Sequence, residues 1–360
     1  MNKPRYLWLD FLRGAAALGV LSFHVVVNHQ PQLNGLYVLV DFFFVLSGFV
    51  LWPSMPHQRV GFGRDMGSFM LRRLLRLWPM LISVVVVSNI FYLVKHIANH
   101  EPGFDPNRRW SMIIAALFFL QTIVSTSIFM VVPLWSLSAE FFANLFFAPL
   151  TMMKSNKGIV YGILAGYLAL NIGLTMDQSW ISFIGPIREF EAIGRAVVGF
   201  GIGLLLRKHL DKLNRFRNPL FLILSGYGVW WSFFSDQSYY YNNTYFVGFI
   251  FAFFILQVSR YELSTDSLVG KFAAFLGRYS YGIYGFHQIM IDVSGVIVKT
   301  PNSFADPHKW MIYFIIKCSV VSFLAILATF ITNRIFEGPI QRWGNKKLVK
   351  PQNICSSNEQ

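Results

Sequence analysis

Charge is scarce in this sequence. Only 13% of its 360 residues are charged and just 17 are acidic, too little polar surface to cover a water-soluble globule of this length. Cysteine is scarcer: Cys318 lies inside a late hydrophobic run and Cys355 near the C-terminal end, which argues against a disulfide framework or a zinc site. No metal site is expected. No repeat period marks a solenoid, no low-complexity linker separates domains, and no G-x-S-x-G elbow surrounds Ser47 to make it a nucleophile.

What the chain has instead is apolar and aromatic bulk. Apolar residues make up 54% of it, including 37 Phe, 15 Tyr and 10 Trp, so the natural solvent for most of its surface is lipid. A helical span takes about 20 apolar residues, so ten spans use roughly 200 and leave only short connections. The sequence therefore predicts an all-α polytopic membrane protein: one integral domain over 1–345 and a polar cytoplasmic tail over 346–360. Residues 1–27 mimic a signal peptide, but Asp10 and Arg13 within the run and the lack of a small-residue cleavage site predict a retained first helix.

Hydrophobic runs lie near 7–27, 36–55, 78–95, 110–130, 133–153, 158–176, 181–206, 218–235, 244–259, 279–298 and 310–333. If all eleven crossed, the basic loop Arg207, Lys208, Lys212, Arg215, Arg217 would oppose Arg59, Arg64, Arg72, Arg73 and Arg76, against the positive-inside bias. The run at 110–130 is the one predicted not to cross. Gln121-Thr122 and Ser125-Thr126-Ser127 put a polar dip where a span should be most apolar, which suits a re-entrant segment lining a cavity. With ten spans and both ends cytoplasmic, 23 of the 31 Lys and Arg residues fall inside. That distribution accounts for the formal charge of +14 without a nucleic-acid partner.

Ionisable groups inside a span are costly and usually face an internal cavity. The first run holds Asp10, Arg13 and His24; eleven helical steps bring Arg13 and His24 within about 20° of one face, about 16 Å apart along the axis. This stripe serves either function or a structural Asp10–Arg13 pair with a packed histidine. Ser47-Gly48 in the second run is the kind of small pair that permits close helix packing, as is Gly199 with Gly203. In FMLRRLLRLWP, Arg73 and Arg76 share a helix face and form either a lipid-facing anchor or a phosphate clamp, since guanidinium forks match phosphate oxygens.

The run PLWSLSAEFFANLFF sets Ser136, Glu140 and Asn144 at successive i,i+4 positions. A glutamate there is a structural latch or an acid–base group. In RYSYGIYGFHQ, Ser280 and His287 share nearly one face with Tyr284 a turn before the histidine, a hydrogen-bonded core residue or a substrate contact.

Six blocks in order, LDFLRGAAALGVLSFH (9–24), DFFFVLSGF (41–49), FMLRRLLRLWP (69–79), PLWSLSAEFFANLFFAPL (133–150), YSYGIYGFH (279–287) and FEGP (336–339), make the chain resemble the acyltransferase-3 family of integral membrane acyltransferases. The resemblance implies ten transmembrane helices in the bacterial cytoplasmic membrane, a cytoplasmic acyl-CoA donor, by default acetyl-CoA, and a carbohydrate hydroxyl as acceptor at the outer face. The family's Arg-x10-His signature falls on Arg13 and His24, and its Arg-x-x-Arg signature on Arg73 and Arg76. Some members carry an additional hydrolase-like domain, which has no counterpart within these residues.

On this reading Arg73 and Arg76 hold the donor phosphates, while His24 takes the sugar hydroxyl's proton, with transient acylation of His24 as a variant. Arg13 orients the donor or stabilises developing charge, Glu140 orients a polar group, and Asp10, Ser136 and His287 are substrate-binding or structural. A transporter or flippase of a lipid-linked glycan is the competing class, since buried charges also line transport paths.

Overall fold

The computed structural model describes residues 6–26, 31–56, 61–99, 106–122, 133–153, 155–176, 189–234, 240–299 and 306–347. They form helices α1 (Leu7–Val26), α2 (Leu39–Leu51), α3 (Phe62–Asn99), α4 (Pro106–Leu117), α5 (Leu134–Leu150), α6 (Lys157–Met176), α7 (Glu189–Lys208), α8 (Leu210–Leu213), α9 (Pro219–Phe234), α10 (Tyr240–Val258), α11 (Leu268–Ile297), α12 (Pro307–Thr332) and α13 (Gly338–Lys347). No strand occurs among the described residues.

Four stretches, Gly35–Ser54, Phe62–Ala98, Lys157–Leu174 and Pro307–Gly344, are long and apolar enough to cross a membrane. Their outer faces carry bare hydrophobic side chains: Val86, Ile90 and Val94 on α3, Leu164 and Leu168 on α6, Ile312, Ile315 and Phe323 on α12. Aliphatic faces of this extent need an apolar solvent. α1, α7 and α11 carry ionisable residues within similar lengths and pack inside the bundle, α1 on α11 and α7 on α2 and α6.

Close approach of backbones fixes the α2–α7 contact. A Cβ on Gly203 would stand 2.0 Å from the Val45 carbonyl oxygen, and one on Gly48 2.0 Å from that of Phe200. Only hydrogen at these positions lets the helices meet, the packing role expected of Gly199, Gly203 and Gly48.

The contacts also fix helix directions. On α2 and α7, Asp41 meets Arg195 and Val45 meets Gly203, so the two run parallel. On α1 and α11, Arg13 meets Ser280 and His24 meets His287, again parallel. α3 joins them in that direction, with Leu77 against Tyr281 and Tyr92 against Asp292.

α4 is short, and its 12 residues span about 18 Å, less than a hydrocarbon core. The backbone turns at Phe118 and Phe119, the latter at φ 56°, and Gln121 and Thr122 follow in a turn. Thr122 and Ser138 of α5 bond at 2.8 Å between their hydroxyls, and Trp78 of α3 donates to the Leu117 carbonyl at 2.9 Å. The remainder of the 110–130 run, from 123 onward, lies outside the described residues.

Two helices outrun their apolar segments. α3 starts at Phe62 rather than near 78, and α11 at Leu268 rather than 279, capped by Ser267 Oγ accepting from the Gly270 amide. α13 continues through Lys347, and positions 348–360 of the tail expected over 346–360 fall outside the described residues. Between α12 and α13 a π-turn, Asn333–Glu337, buries Glu337, which accepts from Thr332 Oγ1 at 3.0 Å.

Candidate active site

α11 is the axis of the site, because it carries polar side chains at 280, 284 and 287 in a run otherwise packed with apolar neighbours. Arg13 docks at its first level. The Arg13 Nε donates to Ser280 Oγ at 2.9 Å, and Nη2 donates to the Gly277 carbonyl at 2.6 Å and to Asp10 Oδ1 at 3.0 Å. The Asp10–Arg13 pair of the structural alternative therefore exists, and it is anchored on α11 rather than directed toward His24.

Seven residues further along α11, about 10 Å up the axis, two imidazoles meet. His24 Nδ1 lies 3.2 Å from His287 Nε2, with ring centroids 4.8 Å apart. His287 Nδ1 is 2.7 Å from the Tyr284 carbonyl, and His24 Nδ1 is 2.9 Å from the Val20 carbonyl. A carbonyl oxygen only accepts, so each Nδ1 carries the hydrogen; these tautomers are assigned from the network. His287 Nε2 is then a second acceptor for the single His24 Nδ1–H, which it shares with the Val20 carbonyl. His24 Nε2 keeps its lone pair and bonds no described residue. His287 is fully buried, while His24 retains partial exposure.

The histidine pair continues toward α5. Tyr284 and Ser136 bond through their hydroxyls at 2.6 Å, and the Tyr284 ring stacks edge-on against Phe43 of α2 at 5.3 Å. One turn along α5, Ser47 Oγ donates to Glu140 Oε1 at 2.5 Å. Asn144 turns back on its own helix, its amide donating to the Glu140 carbonyl at 2.8 Å.

Glu140 also belongs to the electrostatic surroundings of Arg73, together with Arg76 and Tyr281. Arg73 is buried and Arg76 exposed, so the two arginines of the motif differ in their access to solvent. Tyr281 Oη donates to the Leu77 carbonyl at 3.3 Å, which brings this part of α3 against α11 one residue beyond Ser280, the partner of Arg13.

The sequence-derived candidates thus fall into three groups: His24 with His287 and Ser136; Glu140 with Arg73 and Arg76; and Arg13 with Asp10. The first two groups share α5 through Ser136 and Glu140, and the first and third share the α1–α11 contact. Sequence reasoning missed Ser47 as the partner of Glu140, since Ser47 read as a packing residue beside Gly48. It also left Asp41 and Arg195 unconnected. They form a fully buried pair, Arg195 Nε to Asp41 Oδ1 at 3.0 Å and Nη2 to Oδ2 at 2.5 Å, with the guanidinium over the Tyr37 ring at 5.4 Å. The available signal was two opposite charges, each inside a span and each needing a partner. Among the described residues no group of three or more His, Cys, Asp or Glu is placed to hold a metal ion.

Residues 6–333 match the sequence model of the acyltransferase-3 family, described as an acyltransferase domain. The chain belongs to this family. It is a multi-pass membrane protein within that family. The acyltransferase is similar to the O-acetyltransferase OatA of Staphylococcus aureus (strain NCTC 8325 / PS 47), 27% identical over 383 residues that cover 97% of this chain and 59% of the relative. It is also similar to Protein 2 in picA locus of Rhizobium radiobacter, 26% identical over 40% of this chain and 81% of that protein. A third relative is Putative acetyltransferase ORF330 of Acidianus two-tailed virus, 22% identical over 79% of this chain and 83% of the viral protein. The chain spans under two thirds of the length of the staphylococcal relatives it matches. No solved structure matches the chain.

Proposed function

We propose that this acyltransferase moves an acetyl group from cytoplasmic acetyl-CoA to a hydroxyl of a cell-surface or secreted carbohydrate, within the bacterial cytoplasmic membrane. The observation that carries the reading is the engagement of His24 Nδ1 by the Val20 carbonyl and His287, which assigns the hydrogen to that nitrogen and the lone pair to Nε2. A sugar hydroxyl is a poor nucleophile near pH 7, and a positioned base contributes roughly 10²–10⁴-fold.

The donor phosphates sit at the mouth formed by Arg73 and Arg76, whose guanidinium forks suit phosphate oxygens. The thioester arm extends along α11 toward His24. The hydroxyl attacks the thioester carbon, His24 Nε2 takes its proton, the carbon–sulfur bond breaks, and the proton passes to the leaving thiolate. Arg13, tied to Asp10, Ser280 and Gly277, orients the α1–α11 contact beside the donor. Glu140, bonded to Ser47, steadies the arginine mouth from α5.

Ten spans with a re-entrant 110–130 segment and both termini cytoplasmic is the topology that goes with this reading. The helix directions support it. α2 and α7 run parallel, as do α1 and α11, and each pair is parallel only if an odd number of crossings separates its members. Counting α4 as a crossing makes both numbers even.

Proteoliposomes given labelled acetyl-CoA and an oligosaccharide acceptor test the proposal. Label on the oligosaccharide supports it; movement of a lipid-linked glycan across the bilayer without acetyl transfer would favour a flippase and overturn it.

A further inference from the structure

We infer that His287 is a positioning residue for His24: it touches neither substrate, and acts by receiving the His24 Nδ1 hydrogen. The inference rests on the reading of His24 as the base. Three observations carry it. The Tyr284 carbonyl, 2.7 Å from His287 Nδ1, fixes the hydrogen on that nitrogen and so leaves Nε2 as an acceptor. That acceptor lies 3.2 Å from His24 Nδ1. His287 is fully buried, and so has no surface to offer a sugar or a thioester.

The consequence for the reaction is specific. The Val20 carbonyl also accepts from His24 Nδ1, but it lies on the same helix and ties the ring to α1 alone. An acceptor on α11 fixes the ring plane from outside and holds Nε2 on one line of approach. When Nε2 takes the hydroxyl proton, His24 carries a full positive charge, and its hydrogen-bond partners among the described residues, Val20 and His287, are both uncharged. The His287 lone pair then receives a charge-assisted hydrogen bond, which is stronger than the neutral one before transfer and so favours the proton-bearing state. A neutral acceptor does this without the standing charge that a carboxylate would bring to membrane depth.

The Ser136–Tyr284 bond extends the support by one more residue, since the tyrosine whose carbonyl orients His287 is itself clamped to α5 at 2.6 Å. The base is thus held by a chain running from α5 through α11 to α1.

His287→Leu removes the acceptor, and His287→Gln keeps a side-chain oxygen that can accept. Both are compared with the unchanged protein in proteoliposomes, with kcat and KM taken for acetyl-CoA and for the acceptor, alone and combined with His24→Ala. The expected result is a fall in kcat of about tenfold to hundredfold in His287→Leu with both KM values within about twofold, recovery of most of it in His287→Gln, and no further loss in the His24→Ala background. Equal kcat in His287→Leu and unchanged protein, with His24→Ala inactive, would overturn the inference and leave the base assignment standing. So would equal impairment of the Leu and Gln variants that also lowers the residual rate of His24→Ala, which is the pattern of general damage. Full activity in His24→Ala would remove the base itself, and the inference with it.

Discussion

Arg195 clasps Asp41 through two hydrogen bonds in the interior of the α2–α7 contact, with both side chains almost wholly out of reach of solvent. Removing one partner leaves an uncompensated charge at membrane depth, where breaking a buried pair costs about 3–5 kcal/mol, whereas replacing both by apolar groups of similar size is far cheaper. Arg195→Ala is therefore expected to lower thermal stability in detergent sharply, and Asp41→Leu combined with Arg195→Met to restore most of it. Equal instability of the single and double variants would show that the pair does not set the cost.

The same interface limits size. Gly203→Val drives a side chain into the Val45 carbonyl, so a loss of at least about 1–3 kcal/mol and reduced yield of folded protein are expected. Gly226→Ala on α9, where a Cβ meets nothing within 4 Å, is the control and should be neutral or slightly stabilising. Melting curves of the two variants side by side check the contrast.

At the arginine mouth, Arg73→Ala removes a buried guanidinium set beside Glu140 and Arg76. Loss of a charge-assisted contact of about 1.5–3 kcal/mol raises the KM for acetyl-CoA about tenfold to hundredfold. Excess donor should restore part of the rate. Arg73→Lys should recover less than full affinity, since a point charge does not fork onto two phosphate oxygens. A KM for acetyl-CoA unchanged in Arg73→Ala would remove the clamp from the account.

Ser47→Ala frees Glu140 from its 2.5 Å bond without touching the bundle's apolar packing. If Glu140 steadies the arginine mouth, this variant shifts the donor KM in the same direction as Arg73→Ala and by less, and the two effects fall short of adding when combined. Initial-rate kinetics on the double variant decide it; strict additivity would place Glu140 outside the mouth.

Depth could be read from the sequence far better than rotation. Apolar runs located α1 to α7 and α9 to α12 but not the short α8, and the polar dip at Gln121-Thr122 lies in the turn that follows α4. α3 and α11 begin well before their apolar runs because a helix continues past its apolar stretch on polar residues, which hydropathy does not record. Spacing on a single helix brought Arg13 and His24 to one face, as the common docking of both on α11 bears out. Which helix each face meets is a different matter. Ser47 with Glu140, Asp41 with Arg195, and His24 with His287 lie 93, 154 and 263 positions apart, and nothing local encodes those pairings.

The central claim is that a hydroxyl proton is taken at His24. Acetyl transfer from labelled acetyl-CoA to an oligosaccharide acceptor, measured for His24→Ala against the unchanged protein in matched proteoliposomes, tests it most directly. The account predicts a loss of roughly 10²–10⁴-fold in kcat with donor binding preserved; transfer by His24→Ala at the rate of the unchanged protein would contradict it.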